Sequence, residues 1–141
     1  MKQLKHDLLT AKYTSVCHES PEDMKFNAPH MFVVEPSYGY VKSIGKQHEP
    51  ISPLCQIHFQ EGPIKECGVN GVCNEDLIAM VITRLEHFQK SEFSCRDNEV
   101  AITKLEEAML WLRKRTMARE NRGGRGDTYQ VVRLKQDNSC L

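Results

Sequence analysis

Two amphipathic helical patterns lying close together limit the fold of this chain more than any other feature. In the first, Leu77, Ile78, Val81, Ile82, Leu85 and Phe88 recur at intervals of three and four residues, which gathers them on one face of an α-helix. In the second, Ala101, Ile102, Leu105, Ala108, Met109 and Leu112 do the same. Only the short connection Lys90 to Arg96 separates them, so both stripes are covered when the helices fold back antiparallel into a hairpin. Asn74 is a good N-cap, and Glu75 and Asp76 follow it in the first turn, where the helix dipole favours negative charge. The first helix is therefore expected from Asn74 to near Gln89. Asp97 or Asn98 can cap the second, and Gly123 and Gly124 end it, which places the hairpin at about residues 74–122. Arg84, Glu86 and His87 fall away from the first stripe, and Lys104, Glu107 and Arg115 lie on or near the wet side of the second.

Strand signals precede the hairpin. Met31 to Val34 and Tyr38 to Ile44 are β-branched or aromatic runs separated by Pro36-Ser37, and Gln47 to Pro53 is a polar connection. Leu54 to Phe59 alternates Leu54, Gln56 and His58 against Cys55, Ile57 and Phe59, so one face of that strand should be buried. Glu61-Gly62-Pro63 is turn chemistry, and Asn70-Gly71 can take up positive φ. Thr128 to Lys135 reads as a returning strand, and residues 136–141 as a disordered tail. Residues 1–30 have no sustained period; Leu4, Leu8, Leu9 and Ala11 permit a short helix without requiring one. They are expected to be an N-terminal extension. The predicted class is α+β: a small antiparallel sheet packed with a two-helix antiparallel hairpin and a short C-terminal strand. With 141 residues and 40% hydrophobic content, a single domain over residues 31–135 is expected rather than two independent cores.

The end of the second helix is dense in positive charge, with Arg113, Lys114, Arg115, Arg119, Arg122 and Arg125. Guanidinium groups are planar, permanently charged and able to grip phosphate oxygens in pairs, so the cluster suggests a phosphate-bearing ligand. Over the whole chain 19 basic and 19 acidic side chains cancel, which argues against general nucleic-acid affinity. Six cysteines form no CxxC pair, and alternation sends Cys55 and His58 to opposite faces of their strand, so no metal site is expected. No phosphate loop or nucleophile motif is present, and Glu106 and Glu107 point in different directions on a helix, so no catalytic residues and no cofactor are expected. The N-terminus lacks the apolar core of a secretion signal, and no run of 18 apolar residues follows; the expectation is a cytosolic protein with reduced thiols and no membrane association.

Several ordered motifs share a resemblance: Phe59-Gln60-Glu61-Gly62-Pro63, Gly68-Val69-Asn70-Gly71-Val72, Asn74-Glu75-Asp76-Leu77, Arg84-Leu85, Phe88-Gln89, and Thr103 to Met109 with Trp111-Leu112 and Arg115-Thr116. Across roughly residues 56–128 they resemble the phage Thoeris anti-defence sponge family, whose helical hairpin is shared with anti-CBASS sponges. The resemblance implies a non-enzymatic homo-oligomer, a dimer or larger, acting in the cytoplasm of the infected bacterium. It implies capture of a cyclic ADP-ribose isomer of the glycocyclic type made by a TIR-domain protein, with cyclic oligonucleotides as an alternative ligand. It further implies that Phe88 stacks on adenine, that Asn98 makes a polar contact, and that Arg115 and Arg119 meet the pyrophosphate. The two arginines are four apart and off the apolar stripe, hence neighbours on one helix face. Antiparallel folding would put Phe88 and Asn98 at one end of the hairpin and the arginines about 25 Å away, so a two-fold dimer is expected to close the site. Trp111 follows the stripe closely enough for core or dimer interface. A nucleic-acid-binding module using the arginine helix is the remaining alternative, disfavoured by the zero net charge.

Overall fold

The computed structural model describes residues 1–38 and 52–123. Most of the expected strand Tyr38 to Ile44, and all of the expected strand Thr128 to Lys135 and the tail 136–141, lie outside them. The contacts divide the chain into two compact units, Met1–Glu61 and Gly62–Leu141, where the sequence led us to expect one domain.

The first unit is an antiparallel sheet of β1 (Lys2–Gln3), β2 (Thr14–His18), β3 (Met31–Pro36) and β4 (Cys55–His58), in that spatial order. Residues 1–30, expected as an extension with an optional helix, instead supply two of its strands. Their short runs mix Ser, Cys and His with a single valine, so the pairing partner β3 and not local pattern makes them strands. The register puts His18, Phe32 and Ile57 side by side, and beside them Val16, Val34 and Cys55, on one face. Phe59 adds its ring edge-on to Phe32 at 5.5 Å. Cys55 and His58 lie on opposite faces, as the alternation predicts.

Side chains close the end of the sheet where β2 leaves and β3 enters. Glu19 Oε1 accepts hydrogen bonds from the backbone N–H of His30 and, at 3.3 Å, of Met31. Those bonds, the His30 one foremost, hold the Glu19 carboxyl below its ordinary value; desolvation opposes the shift, and the charges of His30 and His58 add to it. The His30 ring donates from Nε2 to the Lys25 carbonyl at 2.7 Å, and His58 Nε2 stands 3.3 Å from Glu61 Oε1.

The second unit begins with a short helix, α1 (Ile64–Cys67), which lies between the Glu61–Pro63 and Asn70–Gly71 turn signals and has no counterpart among the elements expected from sequence. In this stretch positive φ falls at Gly62 (73°) and Gly68 (70°), not at Asn70-Gly71. The hairpin follows as α2 (Asn74–Gln89) and α3 (Arg96–Gly123). Leu77, Ile78, Ile82, Leu85 and Phe88 of α2, with Ala101, Ile102, Leu105, Ala108, Met109 and Leu112 of α3, are half-buried as the stripes predict; Val81 is exposed. The caps differ from expectation. Cys73 precedes α2, its backbone N–H donating to Asp76 Oδ2 at 2.8 Å, and Cys95 precedes α3, its Sγ accepting from the Asn98 N–H at 3.5 Å. Asn74 and Asn98 are therefore first-turn residues. Cys17, Cys55, Cys67 and Cys95 are free thiols, whereas Cys73 is disulfide-bonded, which departs from the expectation of uniformly reduced cysteines.

Candidate functional site

The turn joining α2 to α3 is built by side chains bonding to backbone. Gln89 spans it: its Nε2 donates to the Cys95 carbonyl and its Oε1 accepts from the Cys95 N–H, both at 2.9 Å. Ser91 Oγ donates to the Phe88 carbonyl at 2.7 Å and accepts from the Phe93 N–H at 3.1 Å. These bonds satisfy backbone groups that the helix ends leave open. They also fix the two aromatic rings at the tip. Phe88 is half-buried and meets Phe93 edge-on at 6.4 Å between centroids, with interplanar angle 85°. The Arg84 guanidinium lies over the Phe88 ring, its Cζ 5.0 Å from the centroid.

Phe88 and Asn98 thus sit at the same end of the hairpin, Phe88 in the last turn of α2 and Asn98 in the first turn of α3. Sequence reasoning expects these two at one end of the hairpin and does not single out Phe93, Gln89, Ser91 or Cys95 as their neighbours. Phe93 is 65% exposed, and a lone aromatic in a polar connection was the one signal that could have pointed to it.

Arg115 and Arg119 lie toward the other end of α3. That helix runs without interruption from Arg96 to Gly123, so the rise of about 1.5 Å per residue sets Arg115 about 25 Å from Asn98. Arg115 is exposed. Arg119 is half-buried, extending the rhythm of half-buried Leu112 and buried Thr116, so the expectation that it lies off the stripe does not hold. Its Nη1 is buried, so the guanidinium is covered together with part of its apolar stem rather than turned wholly to solvent. Thr116 takes up its own hydroxyl by donating to the Leu112 carbonyl at 3.2 Å.

A cavity of about 320 Å³ lies between the start of α2 and this part of α3, with Glu75 and Asp76 on one side and Met109, Leu110, Arg113 and Thr116 on the other. The start of α2 facing the later part of α3 shows that the helices run antiparallel. Two carboxylates in its wall make this cavity unfavourable for a pyrophosphate. The hairpin also leaves large apolar side chains uncovered, with Leu110 72%, Trp111 63% and Met80 62% exposed. Trp111 is thus not a core residue of the single chain; Lys114 Nζ lies 4.8 Å from its ring centroid.

Among the described residues no group of His, Cys, Asp and Glu is arranged to hold a metal ion, and no helix is long and apolar enough to cross a membrane. A family model described as Acb2/Tad1, hairpin domain, matches residues 53–117. Thoeris anti-defense 1 of Bacillus phage SBSphiJ7 is 51% identical over 138 residues, covering 89% of this chain and 97% of the phage protein.

Proposed function

The chain belongs to the Thoeris anti-defense 1 family and contains its hairpin domain, and on that premise we propose that it is a viral anti-defence sponge. It binds and sequesters a cyclic ADP-ribose isomer of the glycocyclic type made by a TIR-domain protein of the infected bacterium, in the host cytoplasm, without cleaving it, and so blocks Thoeris immunity. Phe88 supplies the flat surface for the adenine, Asn98 a hydrogen bond, and Arg115 with Arg119 the cationic grip on the pyrophosphate. Stacking on an aromatic ring is worth about 1 to 3 kcal/mol and each charge-assisted hydrogen bond about 1.5 to 3, which together support tight capture.

The separation along α3 supports this reading most strongly. Phe88 and Asn98 share one end of the hairpin while the arginines stand about 25 Å away on a continuous helix, far beyond the reach of one small cyclic diphosphate. A second copy related by a two-fold axis brings the tip of one hairpin to the arginines of the other and makes two equivalent pockets. The exposed Leu110, Trp111 and Met80 offer apolar surface for that pairing. Sequestration is stoichiometric, so no catalytic group is required.

The test is direct. The protein is mixed with the nucleotide product of a TIR-domain enzyme, freed of unbound ligand and heat-denatured, and the supernatant is identified by mass spectrometry. Intact cyclic nucleotide in amounts matching the protein supports the sponge; a linear or hydrolysed product, or none, overturns it.

A further inference from the structure

Phe88 and Asn98 come from different helices, and the proposed ligand contacts need them at a fixed mutual distance. One side-chain linkage in the structure spans them. Gln89, adjacent to Phe88, presents its side-chain amide to Cys95 as a paired donor and acceptor, with both bonds at 2.9 Å. Cys95 in turn receives the Asn98 N–H on its Sγ at 3.5 Å, which aligns the first turn of α3. The chain of contacts Gln89, Cys95, Asn98 therefore runs from the end of one helix to the start of the next. The Ser91 side chain reaches Phe88 and Phe93 instead, and the Cys95 carbonyl also takes the Glu99 N–H at 3.3 Å within α3.

From this geometry we infer that Gln89 is a positioning residue of the ligand site, which sets Asn98 relative to Phe88 through Cys95. The inference rests on the assignment of Phe88 and Asn98 as ligand contacts. Its physical basis is preorganisation: a turn already held in the binding conformation does not lose that freedom again when ligand enters. Gln89 is half-buried at the end of the α2 stripe.

A double-mutant cycle tests it, with affinity for glycocyclic ADP-ribose measured by calorimetry on the full-length protein. Gln89→Ala is expected to weaken binding about tenfold, with faster amide exchange at Cys95 and Asn98. In an Asn98→Ala background the same change should cost about twofold or less, because there is no longer a side chain to position. Gln89→Glu keeps the acceptor for the Cys95 N–H and loses the donor, so it should fall between wild type and Gln89→Ala; it also serves should Gln89→Ala fold poorly. Unchanged affinity in both Gln89 variants, or a full tenfold cost in the Asn98→Ala background, overturns the inference. Phe88→Ala, measured in parallel, separates the two levels: if it binds like wild type the site assignment itself falls, whereas if it loses binding and Gln89→Ala does not, only the positioning role falls.

Discussion

In the sheet unit Glu19, His18 and His30 turn their polar atoms onto the unit's own backbone, whereas in the hairpin unit Arg84 and Lys114 lie over aromatic rings and Arg115 faces water. The first arrangement consumes hydrogen-bonding capacity to hold strands whose sequences are weak strand formers. The second leaves cationic and aromatic groups available, because two complementary apolar stripes already hold the helices. The contrast assigns the two units different sensitivities. The sheet should respond to protons and the hairpin to ligand.

The largest effects are expected at the hairpin. Phe88→Ala and Arg115→Ala should each lower affinity for glycocyclic ADP-ribose by about 10- to 100-fold, from a lost stack and a lost charge-assisted bond respectively. The melting temperature of Arg115→Ala should stay within about 2 °C of wild type, since its side chain is exposed. Arg119→Ala should lower both affinity and melting temperature, which distinguishes a half-buried arginine from an exposed one. Equal thermal behaviour of the two variants would remove that distinction.

Next comes the apolar surface. Trp111→Asp places a charge on a residue 63% exposed in the single chain. It should leave the helical circular dichroism signal intact while shifting the sedimentation profile toward monomer. A monomer that still binds ligand tightly would break the link between pairing and capture.

The acid response belongs to the sheet. The His30 N–H, foremost, holds the Glu19 carboxyl below the ordinary value of 4.5. A depressed carboxylate contributes stability that is complete above the unfolded-state value and is lost as pH falls through the lower folded-state value. Melting followed from about pH 5 down to pH 3 should therefore show a decline in wild type that Glu19→Gln flattens, starting from a lower melting temperature. An identical acid decline in Glu19→Gln would mean that another group governs it. The smallest effect is expected from Lys104→Ala, which removes an exposed pair with Glu107 at 3.7 Å. Such a pair is worth about 0.3 to 0.5 kcal/mol, a change near the resolution of a melting curve.

The same contrast explains what the sequence made legible. Helix periodicity is a property of single segments, so the two stripes, their wet faces and their antiparallel fold-back were readable residue by residue. The caps were not, because Cys73 and Cys95 stand where asparagine or aspartate is the usual choice, and sulfur is a weak acceptor that propensity gives no reason to expect. Strands β1 and β2 were missed because Thr14–His18 has no alternation of its own and depends on its partner β3. The positions of Phe88 and Asn98 at the tip followed from the motifs. The Gln89 bridge did not, since a side chain bonding to backbone across a turn leaves no spacing signature. Half-buried Arg119 was legible in the rhythm Leu112, Thr116, Arg119, but its charge concealed it.

The central claim is that each pocket combines the tip of one hairpin with the arginines of another, and complementation tests it most directly. Phe88→Ala and Arg115→Ala proteins, each defective alone, are unfolded together at equal concentration, refolded and titrated with glycocyclic ADP-ribose. In a two-fold dimer the mixed species has one pocket with both substitutions and one with neither, so about one quarter of all pockets should bind with wild-type affinity. If the mixture binds no better than its two components, both groups serve the same pocket from one chain and the account is contradicted.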